Sequence, residues 1–271
     1  KSKKIFLPFD AGAPNRDRCL AVGQCCAILD GNHGKLLAGF LHEVVVTPMA
    51  RLFDEYRLKE VTLRNRIGVA PMCQYSSNDG YPNEWHLVHL GARAVGGAGL
   101  VIVEATAVSP EGRISPNDSG IYYDDHVPAF SRINQFIKQH GAVPGLQIAH
   151  AGRKASASRP WEGDHHLGEQ EGGWEVIAPS AVAFGEKLTK VPREMTLADI
   201  ERVQQAFVKA AERALAAGFE FLELHFAHGY LAHEFYSPIA NKRTDQYGGS
   251  FDNRIRFIVE TLQAVRKVWP E

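Results

Sequence analysis

Four short apolar runs, each followed by a stretch with helical periodicity, constrain this chain more than any other feature. The first, Asn65 to Pro71, is a short strand ended by proline. The second, Leu100 to Val103, is continuously apolar, the pattern of a strand buried on both faces of a parallel sheet. The third, Val143 to Ala149, ends at His150. The fourth, Phe219 to Leu224, runs straight into His225, His228 and Tyr230. Between them, Trp85 to Val95 sets Leu87, Leu90 and Ala94 on one face and stops at Gly96-Gly97. A second helix takes Asp124 or Asp125 as N-cap and Pro128 in its first turn. It turns Phe130, Ile133 and Ile137 inward and ends at Gly141. Thr196, with Asp199 three residues on, forms a capping box for a third helix facing inward through Ile200, Val203, Phe207, Ala210 and Ala214. Asp252 opens a fourth, with Ile255, Ile258, Leu262 and Val265 on one stripe.

Strict strand–helix alternation gives a parallel α/β architecture with right-handed crossovers. Four units make either a small open sheet or the first half of an eight-fold barrel. The chain stops after a helix with no closing strand, which favours the barrel half. Two segments stand apart. Ala151 to Arg193 is rich in Gly, Ser, Pro and charge and reads as an extended loop, of the length that usually carries function or disorder. Residues 1–48 lack sustained periodicity and read as an atypical extension upstream of a natural start at Met49, or as an arm docking on the barrel. The expected division is therefore 1–48 and 49–271.

A net charge of −1 gives no electrostatic case for nucleic acid or an anionic membrane, and no apolar run reaches the roughly 18 residues of a membrane span. The cysteines, Cys19, Cys25, Cys26 and Cys73, have no zinc or disulfide spacing, so a reducing cytoplasm is the simplest setting.

Each strand ends in chemically useful residues: Pro71 to Tyr75, then Glu104 to Thr106, then Gln147 and His150, then His225, His228 and Tyr230. Polar groups gathered at one face of a parallel barrel form its active-site layout. Gly96-Gly97-Ala98-Gly99 precedes a strand and so terminates a helix; it is no dinucleotide loop. His225 and His228 admit three readings. As zinc ligands they need a third partner, with His150 or Glu104 available. As structural histidines they are simply satisfied at a strand end. As imidazole donors they would polarise a substrate carbonyl or anion, with Tyr230 as proton donor, an arrangement suited to reducing an activated double bond beside a hydride source. Cys73 is open to readings as a small hydrophobe, a nucleophile or a thiol tuning a cofactor ring. Gln147 could pair with the edge of a flavin pyrimidine ring or fill the barrel interior. Trp85 and Trp161 neighbour these loops. Arg153-Lys154 and Asn241 to Asp245 read as solvated surface or loop-tying ion pairs.

Several stretches, taken together and in order, resemble the old yellow enzyme family of FMN-dependent ene-reductases. They are APMCQY (70–75), GGAGLVIVEATAV (96–108), EGR (111–113), GLQIAHAGRKAS (145–156), RPWEG (159–163), ELHFAHGYL (223–231) and NKRTDQYGGSFDNR (241–254). Cys73/Tyr75 and His225/His228 resemble its bacterial xenobiotic-reductase branch. The resemblance implies a TIM (β/α)8 barrel of which this chain holds about the first four units, with FMN at the C-terminal face and NADPH or NADH as reductant. It implies that Pro71, Met72 and Cys73 lie along the flavin, that Ala105 and Gln147 bond its ring edge, and that His225 touches both flavin and substrate. It further implies that His225, His228 and Tyr75 bind an electron-poor alkene or nitro compound. Tyr230 then protonates the α carbon while flavin N5 delivers hydride to the β carbon, in a ping-pong cycle. No metal, nucleic acid or membrane partner is implied, and a homo-oligomer is expected. In the family, later strands supply an arginine and phosphate-binding loops, so this 271-residue form is expected to hold FMN weakly or not at all. The competing expectations are a catalytically incompetent half-barrel fragment and a metal-dependent barrel hydrolase using His225 and His228.

Overall fold

The computed structural model describes residues 51–270; the expectations for 1–48 and for a start at Met49 lie outside the described residues. A short antiparallel hairpin, β1 (Tyr56–Leu58) and β2 (Val61–Leu63), leads into β3 (Gly68–Val69). Then follow α1 (Glu84–Val95), β4 (Leu100–Ala107), α2 (Val127–Gln139) and β5 (Val143–Ala149). The stretch from 151 to 193 contains β6 (Ile177–Ala178) and β7 (Arg193–Glu194), which pair with each other in parallel. α3 (Leu197–Ala216), β8 (Phe221–Leu224), α4 (Leu231–Tyr236) and α5 (Phe251–Arg266) complete the described part.

β3, β4, β5 and β8 form one sheet in that order, every pair parallel, so neighbours in sequence are neighbours in space. This is a mixed α/β fold with a parallel sheet. Side-chain alternation splits the apolar residues between two faces. Val101, Val103, Leu146 and Ile148 join the helix-side core with Phe130, Ile137, Phe207 and Phe257. Leu100, Ile102 and Val143 face the other way and pack under Leu63 of the hairpin. Gly145 fits closely between them: a Cβ there would sit 3.1 Å from both the Ile102 and Phe221 side chains, which would have to give way.

The third strand and the α3 capping box are as the sequence indicates: Thr196 accepts from the Asp199 amide, and the Asp199 carboxylate accepts from Thr196. Three expectations need correction. Asp124 and Asp125 form a 3-10 turn before α2, whose N-cap is His126. The cap of α5 is Ser250, and its buried stripe is Phe257, Thr261 and Val265, with Leu262 exposed. The 151–193 stretch is folded: Arg153, buried, donates to the carbonyls of Val182 and Ala183, and its own carbonyl faces His166 Nε2 at 3.0 Å. Arg243, likewise buried, forks onto Asp245 and donates to the Pro179 and Met195 carbonyls. Both arginines tie loops together and neither is solvated surface. Among the described residues no helix is long and apolar enough to cross a membrane.

Candidate active site

The parallel register brings the candidate strand-end residues into rows. Ala105 of β4 pairs with Gln147 of β5, and Gln147 with Glu223 of β8. The Gln147 amide donates to Glu223 Oε1 at 2.7 Å. Next to this row, the Cys73 sulfur lies within hydrogen-bonding reach of the Ala105 backbone. Burial, aided by the Asp118 and Glu104 carboxylates, pushes the Cys73 thiol well above its ordinary value. Burial therefore favours the thiol over the thiolate, the attacking form, which weighs against the nucleophile reading. Met72 is half exposed at the same strand end. An apolar ledge beside a row of amide donors and acceptors fits a planar ring with one apolar and one polar edge.

The second group lies where β8 ends. His225 is buried and His228 exposed, at a left-handed φ of 56°. The Ala227 amide donates to His225 Nδ1 at 3.4 Å, which leaves the ring proton on Nε2, facing His228 Nδ1 at 3.3 Å. Burial, followed by His228 and Lys154, pushes the His225 imidazole down to about 4, so it is a neutral N–H donor at physiological pH. The Tyr230 ring lies 4.7 Å from the His225 ring, centroid to centroid. Burial, followed by nearby Cys73 and Asp118, pushes the Tyr230 phenol well above its ordinary value, so it keeps its proton. Lys154 Nζ sits 5.6 Å from the Tyr230 ring centroid and donates to the His228 carbonyl at 3.1 Å. Tyr230 and Lys154 also line a cleft of about 250 Å³ with Tyr75, Asp164 and Phe184. Tyr75 meets the Trp161 ring edge-on at 5.6 Å.

The structure therefore gathers His225, His228 and Tyr230 into one cluster and sets Tyr75 and Tyr230 on one cleft. Neither proposed third metal ligand joins the imidazoles. His150 is fully buried with Nδ1 accepting from the Gly152 amide, and Glu104 is bonded to His86. Among the described residues no group of three or more His, Cys, Asp or Glu is placed to hold a metal ion. Lys154 and Asp164 were missed from sequence as cleft residues. The segment AGRK directly after a strand-end histidine was the available signal for Lys154.

A model of the NADH:flavin oxidoreductase / NADH oxidase family matches residues 51–270. The chain belongs to this family, the old yellow enzymes. It is 50% identical over 220 residues to an NADPH dehydrogenase of Geobacillus sp. (strain WCH70), covering 80% of this chain and 60% of that protein. It is 45% identical over 224 residues to an NADH:flavin oxidoreductase of Gibberella zeae, covering 82% and 54%. Among solved structures it resembles Old Yellow Enzyme from Pichia sp. AKU4542, with a TM-score of 0.72, 32% identity, and 81% of this chain and 57% of that chain covered. It also resembles morphinone reductase in complex with tetrahydroNAD, with a TM-score of 0.70, 32% identity, and 80% and 61% covered. The chain thus spans 54–60% of the length of these two curated relatives.

Proposed function

We propose that this old yellow enzyme chain carries the FMN ring site and the substrate-activating side of an NAD(P)H-dependent reductase of electron-poor C=C bonds. The observation that carries this reading is the His225–His228–Tyr230 cluster: a neutral His225 imidazole N–H beside His228 and a phenol that stays protonated and lines a cleft. Pro71, Met72 and Cys73 would hold one side of FMN, and Ala105, Gln147 and His225 its polar edge. When bound, FMN supplies the hydride-level redox chemistry that protein side chains lack.

The residues of the chain do the rest. His225 and His228 donate to the carbonyl or nitro oxygen of the substrate, which takes the place of His228 Nδ1 as acceptor for His225 Nε2–H. That draws electron density from the double bond and leaves its β carbon electrophilic. Tyr230 gives its phenolic proton to the α carbon, where negative charge would otherwise build. Tyr75, with Trp161 against its edge, orients the substrate across the cleft. The test is NADPH oxidation dependent on an added enone, with FMN present. Enone-dependent turnover supports the reading. Near-stoichiometric zinc with hydrolytic activity and no flavin requirement would replace it with the hydrolase reading.

A further inference from the structure

Glu104 lies inside the apolar run of β4, with only 4% of its surface exposed. The pairing of β4 with β5 slips between Val103 and Ala105, so Glu104 sits at a bulge, a device that re-aims a side chain. Three donors converge on its carboxylate: the Gln74 backbone amide on Oε2, and His86 Nε2 (3.0 Å) and Ser119 Oγ (2.7 Å) on Oε1. His86, 1% exposed on α1, is itself oriented: the Asn83 amide donates to its Nδ1 at 3.0 Å, leaving Nε2–H to point at Glu104. Ser77 Oγ closes the set, 2.8 Å from Ser119 Oγ.

The Gln74 amide lies between Cys73 and Tyr75, and Tyr75 occupies the left-handed region at a φ of 51°. A bulky residue there persists only where its surroundings over-determine the backbone. Among the described residues, the carboxylate is this network's contact to that peptide, and an amide could not replace it: one end of Gln would turn N–H groups toward either the Gln74 N–H or His86 Nε2–H. The geometry points to Glu104, oriented by His86 and Ser119, as the positioning residue that fixes the Met72 to Tyr75 loop and with it the Cys73 thiol and the Tyr75 ring. This rests on the reductase reading for its purpose, though not for its physical basis.

The test compares Glu104→Gln and the milder Ser119→Ala in the full chain, with Phe257→Leu in the α5 core as a control for lost stability. Two readouts need no cofactor: hydrogen exchange at the Gln74 amide, and the pH profile of iodoacetamide labelling at Cys73, resolved by mass spectrometry. Glu104→Gln is expected to speed Gln74 exchange by about tenfold or more, as expected for losing a charge-assisted hydrogen bond. It is also expected to move Cys73 labelling to lower pH, with Ser119→Ala shifting both less in the same direction and Phe257→Leu shifting neither. In the FMN-loaded protein, Glu104→Gln should lower enone turnover. Exchange and labelling in Glu104→Gln that match Phe257→Leu at equal loss of melting temperature would overturn the proposal. Changed exchange and labelling in a protein with no reductase activity would sustain the positioning role and remove the reductase reading.

Discussion

Two polar clusters belong to one sheet, one around Glu104 inside β4 and one just after β8, with β5 between them, and they are built on opposite principles. Around Glu104, the donors meet acceptors, and Glu104, His86, Ser77 and Ser119 are buried between β4, α1 and the 115–120 loop. Around His225, the imidazoles hold one weak contact to each other, His228 is exposed, and Tyr230 faces a cleft. A buried polar network that is fully satisfied rigidifies what it touches, because any partner left unpaired is costly. A cluster with spare hydrogen-bonding capacity can exchange a protein contact for a substrate contact at little expense. Buried histidine is common to both, so residue type alone does not separate a support from a working site; satisfaction and exposure do.

The largest expected difference is in stability. His86→Ala strips a buried donor from a buried carboxylate and should cost about 3–5 kcal/mol, measured by urea unfolding. A loss below 1 kcal/mol would mean that the Glu104 network is solvated and the contrast between the clusters is overdrawn.

Glu234 sharpens the same comparison from a third position. It is fully buried on α4; its Oε1 accepts from the Arg153 amide, and its Oε2 has no partner. Burial pushes its carboxyl up to about 8, above the ordinary 4.5. The folded state thus holds a proton that the unfolded chain gives up. The associated stability is complete below pH 4.5 and is lost as pH rises through about 8. Glu234→Gln, which mimics the protonated form, should match the parent melting temperature near pH 4.5 and exceed it at pH 8. Parallel curves across that range would show that Glu234 is paired or ionised in the folded protein.

The smallest expected stability effect is at His228. Replacement by Asn, which tolerates the left-handed backbone found there, should change stability by less than about 0.5 kcal/mol while raising the enone KM. A stability loss comparable to that of His86→Ala would make the His225 cluster a structural one.

Much of this was readable before the structure. The apolar runs 100–103 and 143–149 are buried throughout, so their composition reports their environment directly. The α3 capping box is local chemistry and was legible for that reason. The β1–β2 hairpin was not, because three-residue strands carry too little alternation to register. The buried stripe of α5 was misplaced because Thr261 is buried through a bond from its hydroxyl to the Phe257 carbonyl, whereas Leu262 lies exposed. At the site, His225, His228 and Tyr230 stood out because they follow one strand within six residues. From sequence, Glu104 stands out as a strand-end group and a possible third metal ligand. Its actual partner, His86, comes from another element, and the bulge that aims it depends on β5, neither of which a local pattern can report.

The proton-donor role of Tyr230 is the claim on which the functional reading turns, and Tyr230→Phe in the FMN-loaded protein tests it most directly. Stopped-flow absorbance would follow flavin reduction by NADPH and flavin reoxidation by an enone separately. The expected result is flavin reduction close to that of the parent and enone reduction slowed by about 10²–10⁴-fold, the range that a positioned general acid supplies. Equal slowing of both half-reactions, or no slowing of either, would contradict it.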